Sequence, residues 1–123
     1  MTGARRILML LDNPLKSDSR VEREAKALAE AGHRITILAT DEDPSLPVEE
    51  ETEFYRVIRR MNTGFKAPYR KNYKASNEET IDLIQRLSFD VLHCHDYHML
   101  ILGAAVKQRR PSMVLLYDAH EYL

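Results

Sequence analysis

A single cysteine among 123 residues leaves no intrachain disulfide to be made, so Cys94, set inside an apolar strand, reads as a structural thiol in a chain suited to a reducing cytoplasm. Charge of one sign is not in excess either. Lys and Arg number 18 against 19 Asp and Glu, a net charge of -1, so no global field draws the protein onto nucleic acid or a membrane. No nucleic-acid partner is expected, and any such affinity, like any membrane contact, must rest on a local patch. Long apolar runs are missing too. Arg5-Arg6 leads into only five apolar residues, too few for a signal peptide, and the longest mainly apolar stretch, Met99 to Val106, falls far short of the roughly 20 residues that span a bilayer. There is no internal repeat and no low-complexity tract. The length is that of one domain, able to bury roughly 65% of its unfolded surface without a disulfide or metal staple.

Glycine is absent where one large function class needs it. The loop after the first strand, Asp12-Asn13-Pro14-Leu15-Lys16-Ser17-Asp18, contains none, so a pyrophosphate could not approach the backbone as the G-x-G-x-x-G fingerprint requires. NAD and FAD are thereby excluded, and no cofactor is expected.

What is present is an alternation of strand and helix patterns, the mark of a doubly wound α/β layer. Strands are predicted at Arg6 to Leu11, Arg34 to Ala39, Phe54 to Arg59, Asp90 to Cys94 and Met113 to Tyr117, in the spatial order 3-2-1-4-5. The expected fold is a three-layer, Rossmann-like open sheet, mostly parallel, with helices on both faces. A capping box of Ser19 with Glu22 predicts the start of the first helix, which stops at Gly32 and buries Val21, Ala25, Leu28 and Ala29. A second box, Ser76 with Glu79, predicts a helix turning Ile81, Ile84 and Leu87 inward. The third helix, Tyr97 to Arg109, is apolar on most sides and carries Gly103-Ala104-Ala105, so it should pack closest to the sheet, and Pro111 prevents its continuation. Asp41 to Glu53, acidic and holding Pro44 and Pro47, reads as a surface crossover that leaves the third strand free to run either way.

The polar ends of the last two strands carry the candidate chemistry, because in an open parallel sheet the ligand crevice lies at the strand carboxyl ends. Asp90 to Cys94 runs into His95, Asp96 and His98; Leu115 to Tyr117 runs into His120 and Glu121. A histidine beside a carboxylate at a strand end points to a site role for His120 and Glu121. His93, His95, Asp96 and His98 invite a metal, but their order is H-x-H-D-x-H, whereas dinuclear zinc hydrolases use H-x-H-x-D-H, and alternation puts His93 and His95 on one strand face with Cys94 opposite. No metal is expected on this set. His93 reads as a core histidine and Asp96 as the third helix's N-cap, a role compatible with ligand contact. The Asp12–Asp18 loop is either a substrate lip or a turn in which Asp18 and Ser19 only cap a helix. Finally, Met61 to Ala75 interleaves Lys66, Arg70, Lys71 and Lys74 with Phe65, Tyr69 and Tyr73. In a helix these aromatics would share one face, a patch for an anionic membrane or an acceptor; otherwise the segment is a solvated loop.

Three stretches together carry a family resemblance: Ser17-Asp18-Ser19-Arg20-Val21-Glu22-Arg23-Glu24-Ala25 through Ala31-Gly32-His33, then Asp90 to Asp96, then Tyr117-Asp118-Ala119-His120-Glu121. In that order they resemble the N-terminal domain of GT-B glycosyltransferases of family 4, whose members include glycogen-synthase-like enzymes. The resemblance implies half of a GT-B fold, in which an acceptor-holding domain faces a nucleotide-sugar-binding domain across a cleft. It implies a retaining transfer without metal to a saccharide or lipid-type acceptor. It matches His120 to the histidine that approaches the transferred sugar, and His95, Asp96 and His98 to the cleft-lining H-D-x-H segment; with the strand-end and loop readings above, the catalytic candidates are His120 and Glu121 and the substrate-binding ones Asp12, Asn13, Lys16, Arg20, His95, Asp96 and His98. The chain departs from the family in lacking first-loop glycines and in ending at Leu123, before the donor domain. Residues 1–123 are thus expected to be a truncated N-terminal domain, inactive alone, cytoplasmic, and open to homo-oligomerisation through the apolar surface that truncation exposes. The alternative is a non-catalytic binding domain that meets a membrane or polyanion through 61–75.

Overall fold

A computed structural model describes residues 3–16, 18–61 and 73–118, with 73–77 described by backbone alone. The elements run β1 (Arg6–Leu10), α1 (Ser19–Glu30), β2 (Arg34–Thr40), β3 (Glu49–Glu51), β4 (Arg56–Met61), α2 (Tyr73–Gln85), β5 (Val91–Cys94), α3 (Tyr97–Arg109) and β6 (Val114–Tyr117). They form one six-stranded sheet in the order β3-β4-β2-β1-β5-β6. Set aside β3, and this is the expected 3-2-1-4-5 order, with every pair parallel, β2 with β4 included.

Alternate residues of β1 serve opposite cores, which is why its apolar run is unbroken. Ile7 and Met9 join Ile35, Ile37 and Val57 beneath Val21 and Ala25 of α1. Leu8 and Leu10 join Leu38, Ile58 and Leu92 beneath Ile81 and Ile84 of α2 and Met99, Leu102 and Val106 of α3. The result is the three-layer, Rossmann-like α/β architecture, and Leu28 and Ala29 complete the α1 stripe as expected. At the amino ends of β1 and β5, Arg6 donates from its backbone N–H and its guanidinium to Asp90, holding that carboxyl down to about 2.

Three local expectations are corrected. The N-cap of α1 is Asp18, whose carboxylate accepts from the Val21 N–H at 3.2 Å; Ser19 is already helical, so the Ser19–Glu22 box does not form. A carboxylate at this position both caps the N–H and complements the helix dipole, and it displaces the hydroxyl one residue later. Helix α2 starts at Tyr73, which puts Ser76 inside it, because Lys74 and Ala75 are good helix formers and the helix propagates past the predicted cap. The acidic crossover contains a strand: β3 pairs antiparallel with β4, with Glu49 engaged by Arg56 and Arg60 and Glu50 by Arg59. Its intrinsic propensity is poor, but cross-strand arginines hold it, and a charged edge discourages pairing with other chains.

The end of α1 conforms to expectation. Gly32 takes φ +100, His33 N–H donates to Leu28 O and Gly32 N–H to Ala29 O, a Schellman close that needs a left-handed residue. Helix α3 spans the predicted residues, and its close approach is visible at Gly103, where an added Cβ would lie 2.6 Å from Cys94 Sγ and 2.8 Å from Leu115 Cδ1.

Candidate functional site

The carboxyl ends of β1 and β5 deliver their loops to one crevice. A cleft of about 250 Å³ is bounded there by Asn13 and Asp18 from the β1–α1 connection, by Arg20 in the first turn of α1 and by His95 and Asp96 after β5. His95 is buried, on the same strand face as His93; the two rings stack with centroids 4.2 Å apart. Asp96 caps α3 as predicted, accepting from the Met99 N–H at 3.0 Å. Asp12 and His98 approach within 3.8 Å of one another. Lys16 lies beside the cleft in a depression shared with Asn13 and Arg20, 3.3 Å from Asp43.

Hydrogen bonds hold the described residues of the β1–α1 loop. Asn13 accepts from the Leu15 N–H at 2.8 Å and donates to Asp18 at 3.1 Å; its carbonyl accepts from the Thr40 N–H. Leu15, buried, holds φ at 55, a left-handed conformation unusual for a side chain of its size. Arg59 of β4 closes the arrangement. Only 6% exposed, it donates to Pro14 O at 2.7 Å, Pro47 O at 3.0 Å, Glu50 at 2.8 Å and Leu15 O at 3.4 Å. Sequence reasoning passed over Arg59; the signal was a charged residue in the inward register of a strand that is otherwise apolar on that side.

The four residues of the H-x-H-D-x-H string do not act as one set. His93 and His95 face Glu24 of α1 and Asp118 beyond β6, while Asp96 and His98 face Asp12. His93 is buried as expected, with Nε2 3.3 Å from Glu24 Oε1 and 3.9 Å from Asp118 Oδ2. Burial first, and then the charge of Asp118, raise the Glu24 carboxyl above the ordinary carboxylate value. Local sequence pattern does not mark Glu24 or Asp118 as partners of these histidines, because they come from α1 and from beyond β6. Cys94 points the other way, and burial pushes its thiol up to about 12, consistent with a structural role.

His120 and Glu121 lie outside the described residues, as do the side chains of Lys66, Arg70, Lys71 and Lys74. A roomier groove, about 360 Å³, lies at the amino end of the sheet among Arg6, Arg34, Arg56 and Arg86. The carboxyl end remains the candidate site, because the loops that follow the strands converge there. No helix among the described residues is long and apolar enough to cross a membrane.

Both helix N-termini that open on the cleft, those of α1 and α3, are closed by the chain's own carboxylates. That arrangement disfavours a phosphate at either terminus, where an anion would otherwise be held. It leaves carboxylate, amide, imidazole and guanidinium groups suited to hydrogen-bonding a hydroxyl-rich molecule.

Solved structures share this fold. Sucrose-phosphate synthase from Thermosynechococcus elongatus aligns with a TM-score of 0.67 and 17% identity over 95% of this chain and 33% of that one. A second structure of that enzyme gives 0.65 and 18% over 95% and 64%. The C-terminal domain of a Pyrococcus furiosus hydrogenase gives 0.59 and 18% over 98% and 95%. The chain thus spans about one third of the first synthase structure, and at these identities the likeness is one of fold. No curated protein sequence matches significantly. The sequence profile of Glycosyltransferase Family 4 matches residues 19–122, from the first helical residue of α1 through the H-x-H-D string to the segment after β6. The chain therefore belongs to glycosyltransferase family 4.

Proposed function

We propose that this domain is the acceptor-binding wall of a retaining glycosyltransferase, which passes a sugar from a nucleotide-sugar to a hydroxyl of a saccharide or lipid-linked acceptor. Family membership supports the reaction class. The observation that carries the acceptor role is the pair of helix N-termini filled by Asp18 and Asp96: the donor's phosphates must be stabilised by groups contributed from elsewhere, and what this cleft offers suits hydroxyls. Asn13, Arg20, His95 and Asp96 line it, Asp12 and His98 stand beside it, and Lys16 flanks the entrance. His120 and Glu121 are proposed, by their match to the family, to act at the transferred sugar. Transfer then depends on holding the acceptor hydroxyl in line with a donor bound on the facing domain, chiefly a matter of positioning and electrostatics.

The test is backbone-amide NMR of the 123-residue protein titrated separately with a panel of neutral mono- and disaccharides and with UDP-glucose and GDP-mannose. Saccharide shifts are expected at Asn13, Arg20, His95 and Asp96, and His95→Ala should abolish them. Tight nucleotide-sugar binding centred on the N-terminus of α1 would overturn the assignment, and so would saccharide shifts that avoid the cleft altogether.

A further inference from the structure

We propose that Glu24, His93, His95 and Asp118 form a site for one divalent transition-metal ion of the zinc or cobalt class, joining α1 to the carboxyl ends of β5 and β6. The reading of the domain as an acceptor wall neither requires nor predicts it, since transfer in this family is expected to proceed without metal. The four residues come from three separate parts of the chain. Each offers one ligand atom, and all four atoms lie within 4.8 Å of one another. Alternation along β5 is what brings the two imidazoles to one face while sending Cys94 to the other, so the set is two nitrogens and two carboxylate oxygens. Imidazole with carboxylate suits zinc, cobalt or nickel better than the oxygen-seeking magnesium and calcium ions.

The distances are near what such an ion needs. Zinc bonds of about 2.0–2.1 Å in a tetrahedron separate neighbouring ligand atoms by about 3.3 Å. His93 Nε2 already stands 3.3 Å from Glu24 Oε1 and 3.9 Å from Asp118 Oδ2. The side chains need close by only about 1 Å to reach bonding distance. The two imidazoles stack with centroids 4.2 Å apart and planes 29° apart, so one ring must turn for a single ion to lie in the plane of both. The site is also reachable: His93 and His95 are buried, whereas the carboxylates of Glu24 and Asp118 are 30% and 32% exposed.

Glu24 and Asp118 meet in this cluster, and Arg20 of α1 faces Glu24. The consequence of a bound ion for the fold is a cross-link from α1, whose first turn borders the cleft, to the two strand ends beneath it.

The experiment uses tag-free, chelator-treated 123-residue protein titrated by calorimetry with Zn²⁺, and in parallel with Co²⁺, whose visible absorption reports coordination geometry. One equivalent is expected, with a rise in Tm on saturation. Glu24→Gln and Asp118→Asn preserve shape at partly exposed positions, and each should weaken binding about tenfold or more, with circular dichroism confirming that both variants are folded. The Asp96→Asn/His98→Ala double variant, which removes the neighbouring Asp12–Asp96–His98 group while keeping a competent cap, should bind as wild type does. Failure of wild type to take up Zn²⁺ or Co²⁺ at a tenfold excess sinks the proposal. So does unchanged affinity in both carboxylate variants, or a loss confined to the Asp96/His98 variant, which would move the ion to the other cluster. His95 belongs to both sites, so the Glu24→Gln and Asp118→Asn variants, which do not line the saccharide cleft, are what separate this idea from the acceptor assignment.

Discussion

Arg59 shows how one side chain can shape a site it does not line. Its guanidinium fans out to four acceptors on three segments, a geometry that a planar fork satisfies and an ammonium cannot. Two of those acceptors, Pro14 O and Leu15 O, belong to the loop that carries Asn13 into the cleft, and the left-handed Leu15 needs such outside support to persist. Replacing Arg59 by Met keeps the stem's packing but strands the carbonyls, so a loss of about 2–3 kcal/mol is expected. Arg59→Lys should lose most of the same amount. Urea unfolding of both variants against wild type is the check; a lysine variant as stable as wild type would show that charge alone, not the fork, does the holding. Glu50 is half in solvent, so the ion pair is the smaller part of this figure.

At the scale of elements, α3 packs closely on β5 and β6. Gly103 permits it, since a Cβ there would sit 2.6 Å from Cys94 Sγ and 2.8 Å from Leu115 Cδ1, and neither Cys94 on a central strand nor the helix backbone can retreat far. Gly103→Ala should therefore destabilise by about 1–3 kcal/mol despite alanine's better helix propensity. Cys94→Ala removes the nearer obstacle, so the double variant should be more stable than the sum of the two single losses implies, a positive coupling measurable in a denaturant double-mutant cycle. Strict additivity would mean that the helix shifts bodily instead. This element was legible in the sequence: its span, its Asp96 cap and its small-residue face all follow from local pattern. So did the parallel strands, because the apolar runs of β1, β2 and β5 announce burial on both faces. β3 was not legible, since a Glu-Glu-Glu run becomes a strand only when arginines on β4 neutralise it. The α1 cap was misplaced by one residue because Asp18 and Ser19 are both good caps, and only their geometry relative to Asn13 and Val21 decides between them. Of the candidate site, the string after β5 could be read from spacing alone. The partition of that string between Glu24 with Asp118 and Asp12 could not, because it depends on which residues three distant segments bring together.

At the scale of the whole molecule, the proposed acceptor role makes the carboxylates that close α1 and α3 a reason for the donor's charge to be held elsewhere. A nucleotide-sugar carries its negative charge on the diphosphate, and the departing nucleotide gains more as the glycosidic bond breaks. Stabilising that charge is the largest demand of the reaction. Asp18 and Asp96 line the described cleft and Asp12 stands beside it near His98, with Arg20 in its wall and Lys16 nearby beside Asp43. The 123-residue chain is therefore expected to leave UDP- and GDP-sugars intact, and turnover by pure protein would refute that role. In an enzyme that couples this domain to a donor-binding one, His120 is expected to act where charge develops, not where the acceptor first docks. Its replacement by Ala should then lower kcat by about 10²-fold or more while leaving KM within a few-fold, the pattern of an interaction made mainly in the transition state. Changing Asn13 to Ala in the same enzyme should show the opposite split, raising the acceptor's KM more than it lowers kcat, because a group that positions the bound acceptor acts in ground and transition state alike. Steady-state kinetics with acceptor varied at saturating donor separates the two. If His120→Ala moved only KM and Asn13→Ala only kcat, the acceptor and transfer roles assigned to the two strand ends would have to be exchanged.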